Sequence, residues 1–178
     1  MKAVIFDLDG VITDTAEYHF LAWKRLAEQL HIPFDRSFNE SLKGIGRQQS
    51  LDNILTRGGA ASTFSTAEKQ ALMRQKNQYY QKLIENLAPG DLLPGIEKLL
   101  SELKGEHIQI ALASSSRNAP AILKRLGISG DFQAVVDPDT IEKGKPAPDI
   151  FLTAAGLLGV SPAECAAIED AEAGIAAI

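Results

Sequence analysis

The sequence predicts an α/β fold, a Rossmann-like parallel sheet core interrupted by an inserted α-helical cap domain. Three observations lead there. Short apolar, β-branched runs alternate with amphipathic helical segments. One long early stretch holds helical periodicity and no convincing strand. Acidic, hydroxyl or basic residues follow each strand-like run, where ligands of open parallel sheets bind.

Lys2 to Phe6 reads as a fully buried strand ending at the polar Asp7-Leu8-Asp9-Gly10. Ile108 to Ala113, Phe132 to Val136 and Cys165 to Ile168 have the same character. Helices are expected between them. One opens at Pro94-Gly95, with Ile96, Leu99, Leu100 and Leu103 on one face; a second runs from Asn118 to Leu126 and stops at Gly127. A third runs from Pro148 to Leu158 and stops at Gly159. The early block contains a helix lined by Ala16, Phe20, Trp23, Ala27 and Leu30. A second carries Leu51, Ile54 and Leu55 and ends at Gly58-Gly59. Ser65 followed by Glu68 has capping-box spacing and starts a third, with Leu72, Tyr79, Leu83 and Leu87 as its apolar positions. The expected division is a core of residues 1–13 and 93–178, and a cap of residues 14–92. Its hinges fall at Thr13 to Thr15 and Pro89 to Leu93. An apolar helical pattern from about Ala171 runs to Ile178, so some of the sheet is expected to lie outside this chain.

The 178 residues are 45% hydrophobic and 23% charged, an ordinary globular balance with enough length for a large core. The net charge of -5 gives no reason to expect a nucleic-acid partner. No signal peptide is evident, and no apolar stretch approaches the roughly 20 residues that span a bilayer. A cytoplasmic monomer without a membrane partner is expected. The single cysteine, Cys165, excludes an intrachain disulfide, and its apolar neighbours suggest a buried small side chain. Gly44-Ile45-Gly46 begins like a dinucleotide fingerprint, but Gln49 stands where the third glycine belongs and no strand precedes it. The three histidines lack metal-ligand spacing.

The strand-end residues make one coherent polar site. Asp7 and Asp9 follow the first strand, Ser114 to Ser116 the second, a loop to Lys145 the third, and Glu169-Asp170 the fourth. Each alone has an ordinary reading, as turn former, helix cap or solvated lysine. Together they fit phosphoryl transfer with Asp7 as nucleophile. A carboxylate attacking a phosphate monoester meets charge repulsion, so Mg²⁺ is expected between them. Asp7 and Asp170 are candidate ligands, helped by the Asp9 carbonyl or by Glu169. Lys145 and Ser114 would hold the transferring phosphate, and Asp9 would carry a proton to or from the bridging oxygen.

The run Phe6-Asp7-Leu8-Asp9-Gly10-Val11-Ile12-Thr13-Asp14-Thr15 resembles the first motif of the haloacid dehalogenase superfamily, and Ser114, Lys145 and Glu169-Asp170 resemble the other three, in order. The runs Ala16 to Trp23, Leu42 to Arg47, Ala113 to Asn118 and Lys145 to Phe151 are similar to its sugar-phosphate mutase branch. That resemblance implies a haloacid dehalogenase-like core with a mobile cap, and sugar phosphates as small-molecule partners. It implies interconversion of β-D-glucose 1-phosphate and D-glucose 6-phosphate through an aspartyl phosphate on Asp7 and a β-glucose 1,6-bisphosphate intermediate. Asp9 becomes the general acid/base, and Asp7, the Asp9 carbonyl, Glu169 and Asp170 the Mg²⁺ site. Ser114 and Lys145 bind the transferring phosphoryl; Arg47, Ser116, Arg117 and Asn118 grip the other phosphate. Thr15, His19, Lys43, Gly44, Ser50 and Lys76 surround the sugar or couple cap closure to Asp9. Without the resemblance, His19 reads as a packing or surface histidine, and Lys43 and Lys76 as solvated lysines. Gly46 and Arg117 stand where a serine and a lysine are expected. The alternatives are a sugar-phosphate phosphatase of the same superfamily and a catalytically impaired fragment.

Overall fold

The computed structural model describes residues 1–178. In chain order its elements are β1 (Ala3–Phe6), α1 (Ala16–Gln29), α2 (Arg36–Glu40), α3 (Arg47–Arg57) and α4 (Thr66–Ile84), then α5 (Ile96–Gly105) and β2 (Gln109–Leu112). After them come α6 (Ala119–Arg125), β3 (Ala134–Val135), α7 (Asp149–Leu158), β4 (Cys165–Ile168) and α8 (Glu172–Ile175). The strands form one parallel sheet in the order β3-β2-β1-β4. A purely parallel sheet is covered by helices on its faces, and β1, with neighbours on both edges, is buried throughout.

Side-chain alternation divides β1 between two cores. Val4 and Phe6 pack with Leu100 of α5, Ile122 of α6, and Ile110 and Leu112 of β2. Ile5 points the other way, among Ala111, Ile150, Phe151 and Ala154. The register aligns Phe6 with Leu112 and with Ile168, so all three strands end level. Asp7, the serines after Ala113, and Glu169-Asp170 therefore emerge at one edge, within reach of each other.

Helices α1 to α4 leave the sheet after β1 and return before α5. Trp23, Leu26 and Ala27 of α1 close a third core with Leu51, Ile54 and Leu55 of α3. The chain crosses between this helical block, the cap, and the sheet on two segments bonded side by side. Leu93 N donates to the carbonyl of Ile12 at 2.9 Å, and the Thr13 hydroxyl donates to the Asp91 carbonyl at 2.7 Å.

Three expectations need correction, and helix α2 was not among those expected. The long helix α4 buries Lys76, Tyr80 and Ile84, not the stripe through Tyr79 and Leu83, which are half-buried. The packing partner α1 selects the face that carries Lys76 and Tyr80, overriding hydropathy. Helix α2 shows no apolar periodicity and is started by Asp35, whose carboxylate accepts from Phe38 N at 2.8 Å. The third strand has only two residues, Ala134–Val135. Cys165 is half-buried, as is all of β4, because that strand lies at an edge of the sheet.

No helix is long and apolar enough to cross a membrane. The capping box at Ser65 is formed in full, its side chain and Glu68 each satisfying the other's backbone N–H. Replacing Ser65 with Ala is expected to cost about 1 kcal/mol, read as a lower urea midpoint with an unchanged slope.

Candidate active site

The site grows from the turn after β1. Gly10, at φ 81°, lets the chain reverse, and the Ile12 and Thr13 amides both donate to the Leu8 carbonyl. Leu8 is fully buried, which leaves Asp7 and Asp9 on the open side of the turn. Asp7 is itself buried.

Lys145 is buried beside it. Its Nζ donates to Asp7 Oδ1 at 2.6 Å and to Glu169 Oε1 at 2.7 Å, with the Phe151 ring 5.0 Å away. The other Glu169 oxygen accepts from the amides of Asp170, at 2.8 Å, and Ala171, at 3.3 Å. Two glycines make room for this arrangement. A Cβ on Gly174 would collide with Glu169 Oε1, and one on Gly10 would collide with Asp170 Oδ2.

Oxygens of Asp7, Glu169 and Asp170 all lie within 4.8 Å of one another. One ammonium thus faces three carboxylates, and the cluster is short of two positive charges. Burial, reinforced by Glu169 and Asp9, raises the Asp7 carboxyl from 3.8 to about 7 even against the pull of Lys145. Burial and the adjacent Glu169 likewise raise Asp170. Oxygen donors only, a converging geometry and this charge deficit all fit a hard divalent cation such as Mg²⁺.

Asp9 has different neighbours. Burial would raise its carboxyl, but His19, Thr15 and Lys76 outweigh it and hold the group below its ordinary range. The Thr15 hydroxyl donates to Asp9 Oδ1. His19 Nδ1 meets Lys76 Nζ at 2.9 Å, and its Nε2 stands 3.6 Å from Asp9 Oδ2 with no other partner. Burial, with Arg47 nearby, pushes the Lys76 ammonium well down; its Nζ sits 4.7 Å from the centroid of the Trp23 ring and 4.8 Å from that of Tyr80. The solvated reading of Lys76 is therefore corrected: the apolar wall of α1 encloses it.

A third cluster joins cap to core. Asn77 Oδ1 accepts from Arg47 Nη2 and from Asn118 Nδ2, both at 2.9 Å. Gln81, one turn on, donates to Asn118 Oδ1 at 3.3 Å. Ser115 Oγ donates to the Gly44 carbonyl at 3.2 Å, and Gly44 lies against Ala171.

Between cap and core lies a cleft of about 310 Å³. Asp7, Asp9, Ser114, Ser116 and Asp170 line it from the core, and His19, Lys43, Gly44, Arg47, Ser50 and Lys76 from the cap. Thr15, Lys145, Glu169 and Asn118 sit behind that lining, bonded to it or to each other. Arg117 turns away and pairs with Asp139 at 2.5 Å on the surface. Lys43 pairs with Glu40 at 2.8 Å. The Ser114 and Ser116 hydroxyls accept from the Ser116 and Asn118 amides, at 3.1 and 3.3 Å. Tyr80 and Asn77 are site residues that the sequence did not single out. A polar run Lys76-Asn77 followed by Tyr80-Gln81 on one helix was the available signal.

The haloacid dehalogenase-like hydrolase family profile matches residues 1–178, and the chain belongs to that family. It is 70% identical to the beta-phosphoglucomutase of Bacillus subtilis over all of its own length and 79% of that relative's. It is 30% identical to a phosphorylated carbohydrates phosphatase of Thermotoga maritima, over 99% of this chain and 80% of that one. The crystal structure of beta-phosphoglucomutase from Clostridium difficile superposes with a TM-score of 0.98 at 50% identity, covering 99% of this chain and 79% of that chain.

Two outcomes are expected from the geometry. Gly10→Ala should displace the Asp170 carboxylate and weaken divalent-cation binding about 10- to 100-fold, measured by titration calorimetry. For Asp7, the folded-state value lies above the unfolded one, so its stabilising share is complete below 3.8 and lost as pH rises through about 7. Melting midpoints of the metal-free protein should therefore fall from about pH 5 to about pH 8, less steeply in Asp7→Asn.

Proposed function

We propose that this chain is a Mg²⁺-dependent phosphomutase that interconverts β-D-glucose 1-phosphate and D-glucose 6-phosphate. The observation that carries the reading is the position of Asp9: two residues from Asp7, yet bonded or adjacent to cap residues Thr15 and His19. An acid/base answering to the cap suits a reaction that must wait for the sugar to be enclosed. The 70% identity to a beta-phosphoglucomutase supports the same substrate pair.

In this reading residues 14–92 close over the core with Asp7 carrying a phosphoryl group donated by the bisphosphate primer. Ionised Asp9 takes the proton of the free 6-hydroxyl of β-glucose 1-phosphate as that oxygen attacks the aspartyl phosphate; the bond from phosphorus to Asp7 breaks and β-glucose 1,6-bisphosphate forms. When the bisphosphate has turned over, the Asp7 carboxylate attacks the phosphorus at C1, the bond from that phosphorus to the C1 oxygen breaks, the aspartyl phosphate is restored, and Asp9 returns its proton to the departing oxygen. Lys145 and Ser114 hold the transferring group, while Arg47, Ser116 and Asn118 take the other phosphate, joined by Arg117 when it leaves Asp139. Asp7, Glu169, Asp170 and the Asp9 carbonyl would hold Mg²⁺, which offsets the negative charge gathered there. Thr15, His19, Lys43, Gly44, Ser50 and Lys76 orient the sugar and report closure to Asp9. The cap excludes water, so the phosphoryl group passes to sugar and not to solvent.

The test is a coupled assay. β-Glucose 1-phosphate, Mg²⁺ and a trace of β-glucose 1,6-bisphosphate should yield glucose 6-phosphate. Asp7→Asn and excess chelator should each abolish it. Turnover of the α-anomer alone, or phosphate release far outpacing isomerisation, would sink the reading.

A further inference from the structure

Tyr80 lies in the last turns of α4 with no exposed surface. Its ring belongs to the largest core and packs against His19, with centroids 4.2 Å apart. Its hydroxyl needs a partner there, because an unpaired buried hydroxyl is costly. That partner is Thr15, whose Oγ1 is 3.1 Å away.

The proton count decides the direction of every bond in this chain. A hydroxyl carries one hydrogen. Ionised Asp9 only accepts, so the hydrogen of Thr15 points to Asp9. Thr15 can then only accept from Tyr80, and burial keeps the phenol protonated and able to donate. Chains aligned in one sense polarise each member and strengthen the last bond. Thr15 is buried at the hinge, while Tyr80 rides on the cap's longest helix.

We propose that Tyr80 is a positioning residue for Asp9: its hydroxyl commits the Thr15 proton to the Asp9 carboxylate and ties that carboxylate's orientation to helix α4. This rests on the acid/base role given to Asp9 above. A phenol used only for packing has no need of its oxygen, so removing that oxygen separates the two roles.

The experiment is a double-mutant cycle on the full chain with Mg²⁺: wild type, Tyr80→Phe, Thr15→Val and the double variant. Tyr80→Phe should lower kcat about five- to tenfold with KM and melting midpoint unchanged. The double variant should be no slower than Thr15→Val, because one relay is broken only once. In a Thr15→Ser background, which keeps the hydroxyl, the Tyr80→Phe loss should return. Wild-type kcat in Tyr80→Phe, or losses that multiply in full, would overturn the proposal. So would a kcat loss matched by a fall in melting midpoint. Should the wild type release phosphate and make no glucose 6-phosphate, the mutase reading fails. The same cycle, read on phosphate release, then still decides the relay.

Discussion

The ammonium of Lys145, shared between Asp7 and Glu169 at 2.6 and 2.7 Å, is the interaction on which the candidate site depends. Two buried carboxylates brought this close need a cation between them. The sharing also does not suffice. With Asp170 nearby, one cation meets three anions, and the Asp7 carboxyl is pushed to about 7 as a result. The deficit makes the end of β1 a candidate cation site and leaves Asp7 poised between its two protonation states.

Asp9, only two positions further along the chain, shows how the same residue type comes to sit in an opposite environment. Its partners come from the cap and hinge, and they hold its carboxyl low where Asp7 is held high. Two carboxylates with environments driven apart are the usual mark of separated nucleophile and acid/base duties. Helix α4 reaches Asp9 by two routes, Lys76 through His19 and Tyr80 through Thr15. Next on the helix, Asn77 holds Arg47 and Asn118 together. One face of one cap helix thus addresses both ends of the cleft.

Close approach makes this possible. The level ends of β1, β2 and β4 set their following residues side by side. Gly10 and Gly174 leave space where any Cβ would strike the Asp170 and Glu169 carboxylates.

Much of this was legible in the residues. The four strands, the large helices and the four strand-end motifs follow from apolar runs, caps and breakers, which are local signals. The capping box at Ser65 and the helix stop at Gly159 needed no tertiary information. The rotational phase of α4 did, because Leu72, Tyr79 and Leu83 outrank Lys76 in hydropathy, and only packing on α1 buries the polar face. The resemblance assigns Arg117 to a phosphate, whereas its side chain is paired with Asp139 at the surface. Sequence alone determined which residues stand at the sheet edge. Tertiary structure decided how their protons and charges are shared, because those depend on distances of a few ångströms between segments as far apart as Asp7 and Lys145.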